Sequence, residues 1–236
     1  MKGSTVVVIG GTSGIGLETA RMARAADADV VVTGRDRARL EAVRDELGAV
    51  AEPLDLADTE AVARFFAGLP TPVDHVLVSG GGPFYAPIAD MDFEQARAFL
   101  DQHILGYLRI VKLCAAAVRP GGSLTFISGT GARHAAVGIS LAAIGTAAIG
   151  AIVANAALEI GPVRVNAVAA GFVDTPLSAR ILGADLEARR QDLRDTLPIH
   201  RVVTASDVAD LVLHLMTNTA LTGAVYDVDG GQQLVH

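Results

Sequence analysis

The sequence predicts a doubly wound α/β domain: a parallel sheet with helices on both faces. Two observations carry this. Short apolar runs rich in Val, Ile and Leu alternate along the chain with longer amphipathic segments, the pattern of repeated strand–helix units. The first apolar run also enters a glycine-rich turn that opens a helix. With 236 residues the chain can bury one large core, so residues 1–236 read as one domain.

The elements follow in order. Val6 to Ile9 is the first strand. Gly10 and Gly11 cut it short, which favours a buried strand over the apolar core of a leader peptide. Gly14 to Ala26 reads as a helix, Val30 to Thr33 as a strand, and Asp36 to Leu47 as a charged amphipathic helix. Val50 to Leu54 and His75 to Val78 are strands, with a helix at Thr59 to Ala67 between them. Phe93 to Val118 is predicted as one long helix, followed by a strand at Ser123 to Ile127. Ile139 to Ile160 is an apolar helix and Val163 to Val168 a strand. Asp207 to Thr217 is a helix and Ala224 to Val228 the last strand. Asp174 to Thr204 is polar and irregular, and reads as a lid over the strand ends.

Composition excludes several classes. Hydrophobic residues make up 51% and charged residues 19%, which rules out overall disorder. The net charge of −7 argues against nucleic acid as a partner. Cys114 is the only cysteine, so no disulfide framework is possible, and no metal-ligand spacing is present; both suit a cytoplasmic protein. No charged residue lies between His134 and Glu159, but Ala and Gly dominate there. A core or interface helix is expected in preference to a membrane span.

The strongest local signal is Gly10-Gly11-Thr12-Ser13-Gly14-Ile15-Gly16, set between a strand and a helix. Glycines permit a tight turn and close backbone approach to a pyrophosphate, and the helix N-terminus offers free N–H groups and a positive dipole end. This is a Rossmann-type dinucleotide signature. Arg35 stands near the end of the second strand, where a guanidinium can pair with a 2′-phosphate, so NADP(H) is expected over NAD(H). The neighbouring Asp36 leaves two readings, a ribose ligand or a helix N-cap.

These features resemble the short-chain dehydrogenase/reductase family. Gly10 to Gly16 is similar to its Gly-x-x-x-Gly-x-Gly turn, Asp55-Leu56 to its adenine-contacting pair, and Ser79-Gly80-Gly81-Gly82 occupies the place of its Asn-Asn-Ala-Gly segment. Val165-Asn166-Ala167-Val168-Ala169-Ala170-Gly171 with Val173 and Thr175 resembles its segment over the nicotinamide. Arg201, Asp207-Val208-Ala209, Thr222-Gly223-Ala224 and Asp229-Gly230-Gly231 match its C-terminal pattern. The resemblance implies a small-molecule substrate and a homodimer or homotetramer. The fourth and fifth family helices, here Phe93 to Val118 and Ile139 to Ile160, would form the contact. On the second of these, Leu141, Ile144, Ala148, Ile149, Ile152 and Ala156 are expected to share one broad apolar face.

The resemblance also implies a Tyr-x-x-x-Lys pair, a serine and an asparagine for proton transfer. The matching positions hold Ala142, Thr146, Gly129 and His103. The chain's tyrosines are Tyr85, Tyr107 and Tyr226, and four residues on stand Ala89, Val111 and Gly230, so no Tyr-x-x-x-Lys occurs in any register. His103 and Ser128 are the candidate catalytic replacements, the alternatives being an interior histidine and a strand-end serine. Tyr85 is a weaker candidate, and His134 and His200 read as loop residues. Two functions stay open: a reductase of an activated carbonyl or quinone-like acceptor, or an inactive NADP(H)-binding protein serving as sensor or assembly partner.

Overall fold

Val6, Val7, Val8 and Ile9 are inaccessible to solvent because the strand they form lies at the centre of the sheet and is covered on both faces. The structure is a computed structural model and describes residues 1–70 and 72–235. Strand β1 (Thr5–Ile9) leads through the glycine turn into α1 (Gly14–Ala25). There follow β2 (Asp29–Gly34), α2 (Arg37–Leu47), β3 (Val50–Pro53), α3 (Thr59–Gly68) and β4 (Val73–Val78). Helix α4 (Phe93–Leu100) continues through a π-turn at Asp101–Leu105 into α5 (Gly106–Ala117). Then come β5 (Val118–Gly129), α6 (Ser140–Glu159), β6 (Arg164–Ala170), β7 (Val173–Asp174), α7 (Pro176–Leu182) and α8 (Leu186–Thr196). Strand β8 (Val203–Thr204), α9 (Ala205–Thr217), β9 (Val225–Val228) and α10 (Gln232–Val235) close the chain.

The main sheet has seven parallel strands in the order β3-β2-β1-β4-β5-β6-β9. Its order reverses between β1 and β4, the place where such sheets open a crevice at the carboxyl ends of their strands. Side-chain alternation feeds both faces. Val7, Ile9 and Val31 join the layer with α3, α5 and α6, while Val6, Val8, Val30 and Val32 join the layer with α1, α2 and α9.

The structure corrects three expectations. The predicted helix over Phe93 to Val118 is interrupted by the π-turn and stops at Ala117, where β5 begins. The segment from Asp174 to Thr204 is not irregular: it folds as two helices, α7 and α8, on a base where β7 pairs with β8. On α6 the buried residues are Leu141, Ala142, Ile149, Ile152, Val153 and Ala156, whereas Ile144 faces outward at 55% exposure. Helix α6 is long and apolar enough to cross a membrane, but here Ile149, Ile152, Val153 and Ala156 pack in the core against the sheet.

A row of polar groups is buried at the amino ends of the strands. The Nδ1 atom of His75 on β4 lies 2.9 Å from Oγ of Ser123 on β5. Beside Ser123, Arg164 on β6 donates to the carbonyl oxygens of Leu215 and Met216 at the end of α9. Burial holds the His75 pKa down to about 4, with nearby Arg164 and Arg119 adding to the effect and Asp74 opposing it. Between that value and the ordinary 6.5 the unfolded chain binds a proton that the folded chain does not. Stability is therefore complete above about pH 6.5 and falls as pH drops towards 4. For His75 this loss amounts to roughly 3 kcal/mol. Urea titrations at pH 7 and pH 4.5 check it: His75→Gln should lose distinctly less stability on acidification than the parent, and equal losses would contradict this assignment.

Candidate cofactor cleft and catalytic end

The glycine turn forms because β1 and β4 come too close for side chains. Gly10 has φ +83°, and a Cβ there would stand 2.6 Å from the Gly80 nitrogen. A Cβ on Gly16 would run into the Gly10 carbonyl oxygen, so α1 packs directly on the turn. The N–H groups of Gly10 and Gly11 both donate to the Thr33 carbonyl at 3.0 Å, fixing the turn to the end of β2. Ser13 caps α1 without a side-chain bond to the helix, so its hydroxyl and the first helical N–H groups face the cleft free of mutual capping. Thr175 packs 3.4 Å from the Cβ position of Gly14 and caps α7, so α7 starts at the edge of the cleft.

A cavity of about 410 Å³ results, lined by Thr12, Ser13, Gly14, Arg39, Asp174 and Thr175, with Glu18 and Arg21 also in its wall. The turn with its free helix terminus is chemically suited to a pyrophosphate, so the residues present fit a dinucleotide. Arg35 is exposed just beyond β2 and is not among the lining residues; Arg39, one turn into α2, is. The sequence reading missed Arg39 and Arg21. Asp36 caps α2 by accepting from the Arg39 N–H at 3.2 Å, which settles it as the N-cap. Asp55 accepts from the Ala57 N–H at 3.0 Å and shapes the turn that places Leu56 against Gly80. Ser79 continues the β1–β4 ladder by donating to Ile9 at 2.8 Å. Ile15 is half-buried and belongs to the α1 packing layer, and Val173 is buried in β7. Gly171 is wedged against Asp229 and Gln232, and the Gln232 side chain accepts from the Phe172 N–H at 2.9 Å.

The candidate catalytic residue His103 sits in the π-turn. His103 stacks on Phe99 with centroids 4.1 Å apart and meets Tyr107 at 5.7 Å. Its Nδ1 lies 3.0 Å from the Phe99 carbonyl oxygen, so Nδ1 carries the proton. Nε2 is then an acceptor, placed 2.8 Å from where a Gly81 Cβ would sit. Burial pushes the His103 pKa down, against the opposing pull of the Phe99 carbonyl, so the ring is neutral at physiological pH. Tyr107 is buried against Phe126, and burial pushes its pKa up, so its hydroxyl is a weaker acid than a free tyrosine's. Tyr85 is 55% exposed on the loop after β4. Ser128 lies one alternation beyond Phe126 on β5, on the face that carries α5 and α6. On α6, Ala142 is buried and Thr146 half-buried; Thr146 Oγ1 donates to the Ala143 carbonyl. Gly129 faces Thr146 with ordinary contact room for a Cβ. His134 and His200 lie on loops as expected, His134 against the Gln233 carbonyl at 3.2 Å.

The family model for enoyl-(acyl carrier protein) reductase matches residues 9–233. A solved short chain dehydrogenase/reductase family protein is 33% identical and superposes with a TM-score of 0.86, covering 99% of both chains. This chain belongs to the short-chain dehydrogenase/reductase family. A solved small-chain dehydrogenase in complex with NADPH is 29% identical, with a TM-score of 0.84 and 99% and 100% of the two chains covered. The MalC reductase/Diels-Alderase of Malbranchea aurantiaca is 25% identical over 100% of this chain and 98% of its own, with a TM-score of 0.91. Family members are oxidoreductases that use a nicotinamide cofactor, and the cleft between β1 and β4 is where such a cofactor fits here.

Proposed function

We propose that this member of the family is an atypical NADP(H)-dependent reductase that acts on an electron-poor acceptor, a quinone or an activated dicarbonyl, without a proton donor of its own. The observation that carries this reading is the replacement of the family's proton-relay groups by Ala142, Thr146, Gly129 and a neutral, proton-accepting His103. The bound cofactor supplies hydride. The chain supplies orientation: the glycine turn holds the pyrophosphate, Thr175 closes over Gly14, and Gly81 with His103 bounds the reacting end. An acceptor whose reduced anion is delocalised takes its proton from water, so it needs no protein acid. The Ser128 hydroxyl can donate a hydrogen bond that orients such an acceptor, and His103 Nε2 can accept one only from a hydroxyl of the reduced product; neither is assigned as an acid. Turnover of a quinone that persists in His103→Ala and Ser128→Ala supports this, and its loss in either variant would assign that residue a catalytic role. The same missing groups favour a second reading, a protein that only holds NADP(H) as sensor or assembly partner. It would bind cofactor yet reduce none of the acceptors.

The preference for the 2′-phosphate rests on Arg35, with Arg39 in the cleft wall beside Thr12 and Ser13, and on likeness to a protein solved with NADPH. Arg35→Ala should weaken NADPH by about 1.5–3 kcal/mol, the range for a hydrogen bond to a charged group, and NADH much less. Calorimetry giving equal NADPH and NADH affinities for the parent would overturn the assignment.

Assembly is expected to use α4, α5 and α6. Ile144, Ala147, Ala151, Ala154 and Leu158 form an exposed stripe at helical spacing on α6, while Leu105 and Leu108 lie exposed at the start of α5. Covering such a stripe gains about 25 cal/mol per Å². A homodimer or homotetramer follows. Light scattering that returns a mass near 24.3 kDa at micromolar concentration would refute it.

A further inference from the structure

Asp174 places a carboxylate in the wall of a cleft suited to a pyrophosphate, beside Thr175. An acid there repels what the terminus of α1 attracts. The arginines of the wall itself already face other carboxylates. Arg21 makes a two-pronged bond to Glu46, at 2.6 and 3.1 Å, and Arg39 stands 3.4 Å from Asp36. The cation that answers Asp174 comes from outside the lining: Arg190 on α8 donates through Nη2 to Asp174 Oδ1 at 2.7 Å. Nη1 of the same guanidinium reaches Glu187 at 3.2 Å. Its Nε is buried and has no partner among the described residues, a cost that an ordinary surface pair does not carry.

The same bond docks α8. Leu193 is the only buried residue of that helix, and its other side-chain hydrogen bonds stay within the helix. Among the described residues, Arg190–Asp174 is thus the one side-chain hydrogen bond that joins α8 to the rest of the fold, and it ends in the cleft wall. Next to it in the chain, Thr175 packs on Gly14 at the start of α1. We propose that Arg190 is a positioning residue for the cofactor: it cancels the Asp174 charge, so that a dianionic pyrophosphate can settle at the helix terminus, and the pair holds α8 beside the cleft. The proposal rests on the cleft taking a dinucleotide and on no reading of the chemistry.

Calorimetry with NADPH on the full-length protein tests this, because removing either charge should act in opposite directions. Arg190→Gln should weaken NADPH by about fivefold, the size of one bared charge acting on a dianion across a water-filled cleft. Asp174→Asn should bind NADPH at least as tightly as the parent. The double variant should recover to within about twofold of the parent, since no bare charge is left in the wall. Arg190→Lys should keep most of the affinity. The ratio between parent and Arg190→Gln should shrink when salt rises from about 0.1 M to about 1 M, because the screening length falls from about 10 Å to about 3 Å. A pair that serves only the fold would weaken binding when either partner is removed, would not recover in the double variant, and would keep its deficit in high salt. Any of these results would overturn the proposal, as would Arg190→Gln binding NADPH as tightly as the parent. A parent that binds no NADPH at all would overturn the assignment of the cleft, and this proposal with it.

Discussion

Installing Gly129→Ser, Ala142→Tyr and Thr146→Lys together is expected to raise NADPH-dependent reduction of a simple ketone by about 10²–10⁴, the usual contribution of a positioned acid. The parent should be nearly inert towards the same ketone. Its half-buried Thr146 hydroxyl is already bonded to the Ala143 carbonyl, Ala142 has no polar atom in its side chain, and His103 presents a lone pair where a proton is needed. Space favours the exchange at Gly129, where an added Cβ would lie 3.5 Å from Thr146 Cγ2, an ordinary contact. The single variants are expected to gain little, since tyrosine without lysine keeps its high pKa. A folded triple variant that binds NADPH but gains no ketone turnover would show that the chain lacks more than its proton relay.

Gly10→Ala is expected to weaken NADPH by about 100-fold, which corresponds to about 2.7 kcal/mol. Left-handed backbone costs an L-residue about 1–2 kcal/mol by itself. At Gly10 the new methyl would also stand 2.6 Å from the Gly80 nitrogen and 2.7 Å from its Cα, forcing apart the two strand ends that form the cleft. Gly48→Ala is the control. Gly48 also has positive φ, +61°, but nothing lies within 4 Å of its Cβ position at the end of α2. It should lose stability only. Fluorescence titration with NADPH separates the two, and equal cofactor affinity in both variants would contradict the role given to the turn.

The strands at the centre of the main sheet were the most legible in the sequence because they are buried on both faces, so β1 and β2 appear as short apolar runs of valine and isoleucine. Helix α8 was not. Only Leu193 on it is buried, and ion pairs such as Arg190–Glu187 and Arg194–Glu187 run along it, so no apolar period betrays the helix. The start of β5 was hidden for a similar reason, since Arg119-Pro120-Gly121-Gly122 carries turn residues inside a strand. At the cofactor end, spacing pointed to Arg35. Arg39 was missed because its approach to the cleft depends on how α2 leaves its Asp36 cap, a three-dimensional fact with only a faint Asp-x-x-Arg trace. The absence of Tyr-x-x-x-Lys could be read from the chain alone. That His103 is an acceptor could not, because its protonation depends on the Phe99 carbonyl and on burial against Phe99.

The central claim is that this protein transfers hydride from NADPH without a proton donor of its own. It is tested most directly by following NADPH absorbance with the unmodified protein, a quinone in one cell and an unactivated ketone in the other. The account predicts stoichiometric NADPH oxidation by the quinone, and a ketone rate lower by about 10² or more. Ketone turnover near about 10 per second, an ordinary enzyme's rate, would contradict it. So would bound NADPH that no acceptor oxidises.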